Sequence, residues 1–162
     1  MMQSVCLDTH ILIWGIKEES EVGQEHMVEI AKAFFSESDN KKDLQILIPS
    51  VVIAEFLMRI PVAQHRTIMN LLSRSFQIPP FDMASASCFA EIWQSKEEVK
   101  ESLHGIVSRE VMKVDCQIVA IAKQKNVDCI FSHDSNLAKF AEGHVAIKEL
   151  PREAKQMVLA FE

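Results

Sequence analysis

The chain has 162 residues, 48% of them hydrophobic and 25% charged, with a formal net charge of −6. These values fit one globular domain with a substantial core and exclude a disordered or low-complexity chain. The acidic balance, with no basic stripe, disfavours binding of long duplexes through phosphate contacts and leaves room for a short or single-stranded nucleic acid held partly by metal.

No stretch approaches the roughly 18 apolar residues of a membrane-spanning helix, and MMQSVCLDTH lacks a cationic segment followed by a long apolar run. A cytoplasmic chain with no membrane association is the expectation. Cys6, Cys88, Cys116 and Cys129 are widely spaced, with no C-x-x-C pair. Each sits in an apolar run and reads as a small buried hydrophobe rather than a zinc ligand or half of a disulfide.

In chain order, SVCLD (4–8) is an apolar strand ending in an acid, and THILIWGI (9–16) shifts towards helical spacing. Val22, Met27, Ile30, Ala31 and Phe34 recur at helical intervals, predicting an amphipathic helix over 20–37. After the polar loop SDNKKD comes the strand LQILIP (44–49), with Ser50 placed to N-cap a helix VVIAEFLMRI that Pro61 ends or interrupts. VAQHRTIMNLLSRS (62–75) reads as a further helix and SFQIP (75–79) as a short strand. Asp82 is placed to N-cap one helix over 83–102, and a break at His104-Gly105 precedes another over about 108–125. VDCIFS is a strand, HDSNLAKFAE a short helix closed by Gly143, and HVAIKEL a last strand. The tail PREAKQMVLAF, opened by Pro151, predicts a C-terminal helix. Strands alternating with helices argue for a parallel sheet covered on both faces, in a single domain over 1–162.

Four acids stand at, or on helices beside, strand-to-helix junctions: Asp8, Glu55, Asp115 and Asp134. Ligands of open parallel sheets bind beyond the carboxyl ends of the strands, where Asp8 and Asp134 fall and towards which Glu55 projects. Each acid also has a plain structural role available. Asp8 and Asp134 suit helix N-caps, and Glu55 suits an ion pair with Arg59 at i,i+4 spacing. Asp115 is the hardest to explain so, because Val114, Ile118, Val119, Ile121 and Ala122 make its helix face apolar. A buried carboxylate needs a partner or a metal. One shared site explains all four acids together. Mg²⁺ or Mn²⁺, which prefer oxygen ligands and keep several waters, suit it, and hydrolysis of phosphodiesters is the matching chemistry.

Phosphate-binding loops, dinucleotide fingerprints, serine-hydrolase elbows and zinc-protease motifs are absent. His10 and His133 lie within two residues of candidate acids and read as structural, with substrate contact as the alternative.

LDTHILIW, PSVVIAEFLMRI and KVDCQIVAIAKQKNVDCIFSHDSNLAKFA, in this order, resemble the PIN domain, the metal-dependent ribonuclease fold of VapC-type toxins. The resemblance implies an α/β/α fold with a five-stranded parallel sheet in order 3-2-1-4-5. It implies Asp8, Glu55, Asp115 and Asp134 as metal ligands and water activators, and Thr9 and Ser132 as hydroxyls orienting them. Many members carry a further acid where this chain has Asn136, so one firmly held metal is expected rather than two. The longer stretch between Asp82 and Asp115 suggests a helical arm shaping substrate choice or subunit contacts.

The resulting expectation is a Mg²⁺- or Mn²⁺-dependent endoribonuclease, the toxin of a toxin–antitoxin pair, blocked by a small antitoxin and forming a homodimer. Lys96, Lys100, Arg109 and Lys113 are its candidate RNA contacts, with solvated helix faces as the alternative. Two other readings compete: a PIN-like scaffold that binds RNA or protein without cutting, and a haloacid-dehalogenase-type phosphatase with Asp8 as nucleophile. The phosphatase normally uses a second Asp where His10 stands.

Overall fold

The computed structural model describes residues 2–152. β1 (Gln3–Leu7) ends in the fully buried Val5, Cys6 and Leu7, as expected of a strand covered on both faces. The chain turns at once into α1 (Thr9–Leu12) and a π-helical turn (Ile13–Lys17), burying Ile11, Leu12, Ile13 and Trp14. α2 (Glu25–Ser38) buries Met27, Ala31, Phe34 and Ser38 along one stripe. It starts later than the periodicity predicts. Gly23 has φ +90, outside the right-handed helical region, and its N–H donates to the Glu25 carboxylate instead.

β2 (Leu44–Leu47) leads into α3 (Ser50–Leu57). Ser50 does not cap this helix: the extended Pro49 holds the cap position, and the Ser50 hydroxyl accepts the Phe81 N–H at 3.2 Å. α4 (Val62–Ser75) occupies its expected span, directly after Pro61. The single helix expected over 83–102 is two, α5 (Met83–Ser95) and α6 (Glu97–Leu103), broken at Lys96, whose backbone is non-helical. Asp82 caps α5 as expected, accepting the Ser85 N–H at 2.9 Å. α7 (Arg109–Gln124), β3 (Cys129–Phe131), α8 (Ser135–Ala141) and β4 (Ile147–Lys148) complete the described chain. Gly143, at φ +80, lies just beyond the end of α8, where helices commonly stop in a left-handed residue. The predicted C-terminal helix lies outside the described residues. No helix among those residues is long and apolar enough to cross a membrane.

The sheet is parallel throughout, in order β2-β1-β3-β4, with Cys6 opposite Leu47 and Leu7 opposite Phe131. Among the described residues it has four strands, not the expected five. The segment predicted as a strand at 75–79 lies beside β2 in the expected place but forms only one bridge, Leu47 with Gln77. Pro79 and Pro80 follow at once and have no N–H to extend a ladder. Beyond the bridge, the Pro79 carbonyl accepts the Ser50 N–H at 2.9 Å.

The chain leaves β1 on one side to make β2, then returns past β1 to make β3. Right-handed crossovers therefore put α1 and α2 on one face and the α3–α7 connection on the other. α7 packs against α5 and α8. Residues 125–128 alone separate α7 from β3, so α7 runs antiparallel to that strand and begins at the sheet's carboxyl edge.

Gly15, within the π-helical turn, sits against the Phe35 ring and the Ala31 methyl, and an added Cβ would overlap the edge of that ring. Gly15→Ala is expected to cost about 1–3 kcal/mol of stability, read as a lowered thermal midpoint. Phe35→Leu in the same chain should recover part of the loss, since the two positions are in contact. Equal losses in the single and double variants would refute the packing account.

Candidate active site

The end of β1 sets the site. Asp8 continues the ladder, its N–H donating to the Phe131 carbonyl at 3.2 Å. The register that pairs Leu7 with Phe131 brings Asp8 level with Ser132. The Ser132 hydroxyl accordingly donates to Asp8 Oδ2 at 2.7 Å, while the Thr9 N–H donates to Oδ1 at 2.7 Å. Asp8 is 5% exposed and Ser132 2%. The same Ser132 oxygen accepts the Asp134 N–H at 3.0 Å, so one hydroxyl ties the ends of both central strands.

Asp134 caps α8: its Oδ1 accepts the N–H groups of Asn136 and Leu137 at 2.7 and 3.4 Å. The capping role and a place in the site are compatible, because the cap uses one carboxylate oxygen. Glu55, on the second turn of α3 and half-buried, accepts the Thr9 hydroxyl at 2.6 Å. Among the described residues it makes no ion pair with Arg59. Thr9 therefore holds Asp8 through its backbone and Glu55 through its side chain.

Asp115 arrives from α7, 6% exposed, among the buried Met112, Cys116, Ile118 and Val119. Its Oδ2 is buried without any hydrogen-bond partner. Burial pushes its pKa up from 3.8 to about 8, and the neighbouring charges of Asp134, Asp8 and Glu55 add to the rise in that order. Asp8 is also raised, chiefly by burial, against the lowering effect of the Ser132 and Thr9 hydrogen bonds. The fold thus brings all four sequence-predicted acids into one electrostatic neighbourhood.

An orphaned buried carboxylate oxygen is costly and calls for a ligand. The acids supply oxygen donors only, the set preferred by Mg²⁺ and Mn²⁺ over zinc or copper. Among the described residues no three His, Cys, Asp or Glu side chains stand close enough to enclose an ion by themselves. A hard cation that keeps part of its water shell does not need them to.

The remaining candidates divide. Asn136 touches Asp134 through its backbone N–H. Lys96 is occupied by the Glu142 carbonyl at 2.7 Å, and Lys113 is exposed on α7. Lys100 and Arg109 both lie over the Trp93 ring, 4.7 and 5.8 Å from its centroid. Sequence reasoning passed over Trp93. Its position in the α5 run gives only a core signal, and its cationic neighbours come from two other helices. His133 has a structural part: its Nε2 accepts the Leu150 N–H at 3.1 Å, its ring lies edge-on to Trp14 at 5.4 Å, and burial lowers its pKa. His10 is exposed, with its ring 5.7 Å from Trp14.

Solved structures that share the fold include three of VapBC and VapC proteins. VapBC2 from Rickettsia felis, bound to a DNA fragment from its promoter, has a TM-score of 0.63 at 14% identity, covering 92% of this chain and 100% of that one. DNA-bound VapBC from Salmonella typhimurium gives 0.55 at 18%, covering 93% and 100%. VapC20 from Mycobacterium tuberculosis, a toxin that cleaves the sarcin–ricin loop, gives 0.53 at 16%, covering 89% and 98%. At such identities the likeness is one of fold. No curated protein sequence matches the chain. The PIN domain family model matches residues 5–143, a span that holds all four acids and both clamping hydroxyls. The chain belongs to the PIN domain family.

Proposed function

We propose that the chain is a Mg²⁺- or Mn²⁺-dependent endoribonuclease, acting as the toxin of a toxin–antitoxin pair. The observation that carries this reading is the partnerless, buried Asp115 oxygen, on a residue within electrostatic reach of three further acids at the carboxyl edge of a PIN fold. Asp8, Asp115 and Asp134 are the proposed ligands, with Glu55 completing the acidic set. A bound ion would supply a water of lowered pKa and offset the charge that develops on the phosphate. The chain's own residues prepare the place. Ser132 and Thr9 fix the rotamers of Asp8 and Glu55, and Asn136 helps hold Asp134 by its N–H. Asn136 also lowers the number of acids in the site by one, which supports one firmly held ion.

A separate antitoxin and a second copy of the chain are the proposed partners. The likeness to the VapBC structures supports an antitoxin partner. α4 and the end of α3 add an observation from this chain. α4 buries Leu72 alone, while Met58, Val62, Met69 and Leu71 are exposed large apolar side chains. Exposed apolar groups at that density are common at protein interfaces.

The alternative is a PIN scaffold that binds without cutting. It is favoured by one observation, that among the described residues no three acids are poised to enclose an ion directly. Calorimetry separates the readings: no Mn²⁺ binding at neutral pH would support the scaffold. The nuclease reading expects RNA cleavage with Mg²⁺ or Mn²⁺, reduced about 10²–10³-fold or more in Asp8→Asn and Asp115→Asn. Cleavage undiminished in both variants would sink it.

The raised Asp115 pKa gives two signed expectations. With its folded pKa near 8, Asp115 holds a proton at neutral pH in the metal-free protein, and an ion must displace it. Mn²⁺ affinity should therefore rise between pH 6 and about 8 and level off above, as titration calorimetry across that range would show. The unfolded value, 3.8, lies below the folded one, so this group's contribution to stability is full below pH ~4 and is lost as pH rises through about 8. Asp115→Asn removes that loss. At pH 7.5 without metal it should stabilise the fold by on the order of 2–4 kcal/mol, while cleavage falls. A variant no more stable than wild type across pH 5–8 would contradict the burial account.

A further inference from the structure

α5, α6 and the start of α7 enclose a cleft of about 750 Å³, lined by Trp93, Glu97, Lys100, Glu101, Arg109 and Met112 among others. That volume is in the range of ligand sites. The Lys100 ammonium and the Arg109 guanidinium both stand over the one indole of Trp93. The ring attracts each cation, but two like charges gathered on one ring repel each other. Lys100 is paired with Glu97 at 2.6 Å, and Glu101 also lines the cleft. Among the described residues Arg109 makes no ion pair. An unneutralised guanidinium next to an ammonium, in an open cleft, matches the charge and planar donor geometry that bind a phosphate.

The position of the cleft fits a nucleic-acid strand lying across the acids. α7 begins at the carboxyl edge of the sheet, the edge that carries Asp8 and Asp134. Met112, in the cleft wall, precedes Asp115 by three residues on the buried side of α7. Arg109 lies about 9 Å from Asp115 along the helix axis, at 1.5 Å per residue. We propose, resting on the nuclease reading above, that this cleft is a phosphate-binding subsite for single-stranded RNA. Arg109 and Lys100 hold a phosphate next to or near the one that is cut, and Trp93 is a positioning residue that keeps the two cations together.

The test uses the full-length, metal-free protein and a fluorescently labelled oligouridylate. Arg109→Ala should weaken binding about 5–10-fold and reduce the slope of log affinity against log salt by about 0.7, the share of one phosphate contact on a single strand. Arg109 is exposed, so the variant is expected to fold, and Arg109→Lys should restore part of the affinity. Trp93→Phe keeps an aromatic ring beside Phe89 and Phe140 but holds the cations less well, and should give a smaller loss. Glu97→Gln acts in the opposite direction: releasing Lys100 from its carboxylate should tighten RNA binding. Lys42→Ala, in the loop before β2 at the opposite edge, removes one positive charge and should change nothing. In cleavage assays the Arg109→Ala defect should appear more in KM than in kcat.

Unchanged RNA binding in Arg109→Ala, or weaker binding in Glu97→Gln, would overturn the subsite. Tighter binding of an oligoglutamate than of the oligouridylate would also overturn it and assign the cleft to an acidic protein partner. Arg109-dependent RNA binding by a protein that cuts no RNA would uphold the subsite and remove the nuclease reading. Cleavage by wild type together with Arg109-independent binding would remove the subsite alone.

Discussion

Everything at the carboxyl edge depends on burying carboxylates that repel one another. Asp8 and Asp115 are almost inaccessible, and Asp134 and Glu55 lie near enough to raise the pKa of Asp115 further. The fold moderates the conflict with two hydroxyls. Ser132 donates to Asp8, and Thr9 donates to Glu55 while its backbone serves Asp8. Neither hydroxyl reaches Asp115, whose Oδ2 stays unsatisfied. The residual strain is thus concentrated on a single oxygen atom. Native proteins keep such atoms where function needs them and offset their cost in the core.

That placement is inseparable from the strand register. Parallel pairing of Leu7 with Phe131 puts Asp8 beside Ser132, and the next residue but one is Asp134. A slip of one residue would turn Asp8 to the other face of the sheet and separate it from its hydroxyl. The buried Val5-Cys6-Leu7 and Cys129-Ile130-Phe131 runs oppose such a slip through their packing. Hydrophobic burial therefore aligns the polar site, although no apolar side chain takes part in its chemistry.

The sequence made the acids and most helix spans legible, because these follow from local periodicity and from composition at strand ends, whereas the strand order was implied by the resemblance to the PIN domain. Asp82 and Asp134 act as caps because capping is a matter of one residue and the next turn. Features decided by tertiary contact were hidden. SFQIP has the composition of a strand, but Pro79 and Pro80 limit it to one bridge. Ser50 follows a strand as an N-cap would, yet Pro49 already supplies the extended residue and Phe81 takes the hydroxyl. The break at Lys96 has no glycine or proline to announce it; the lysine instead reaches the Glu142 carbonyl across the fold. Trp93 could not be connected with Lys100 and Arg109 until α5, α6 and α7 were folded against one another.

The net charge of −6 gains a different meaning once it is resolved in space. A uniform acidic surface would repel RNA, but part of the acidity here lies buried at one edge, where a divalent cation would reverse its effect on a phosphate. Lys100 and Arg109 flank that edge on the helix pair that ends in α7. On the proposed reading, the acids and the two cations would divide the work along one strand of RNA: the acids would need a metal before a phosphate could approach them, and the cations would not. Such a division favours a short contact over an extended one, because phosphates beyond the cleft meet an acidic chain with no further basic stripe. On that reading selectivity would rest on the few nucleotides between Arg109 and Asp115, and the helical arm formed by α5 and α6 would be the element by which this chain differs from others of the same fold.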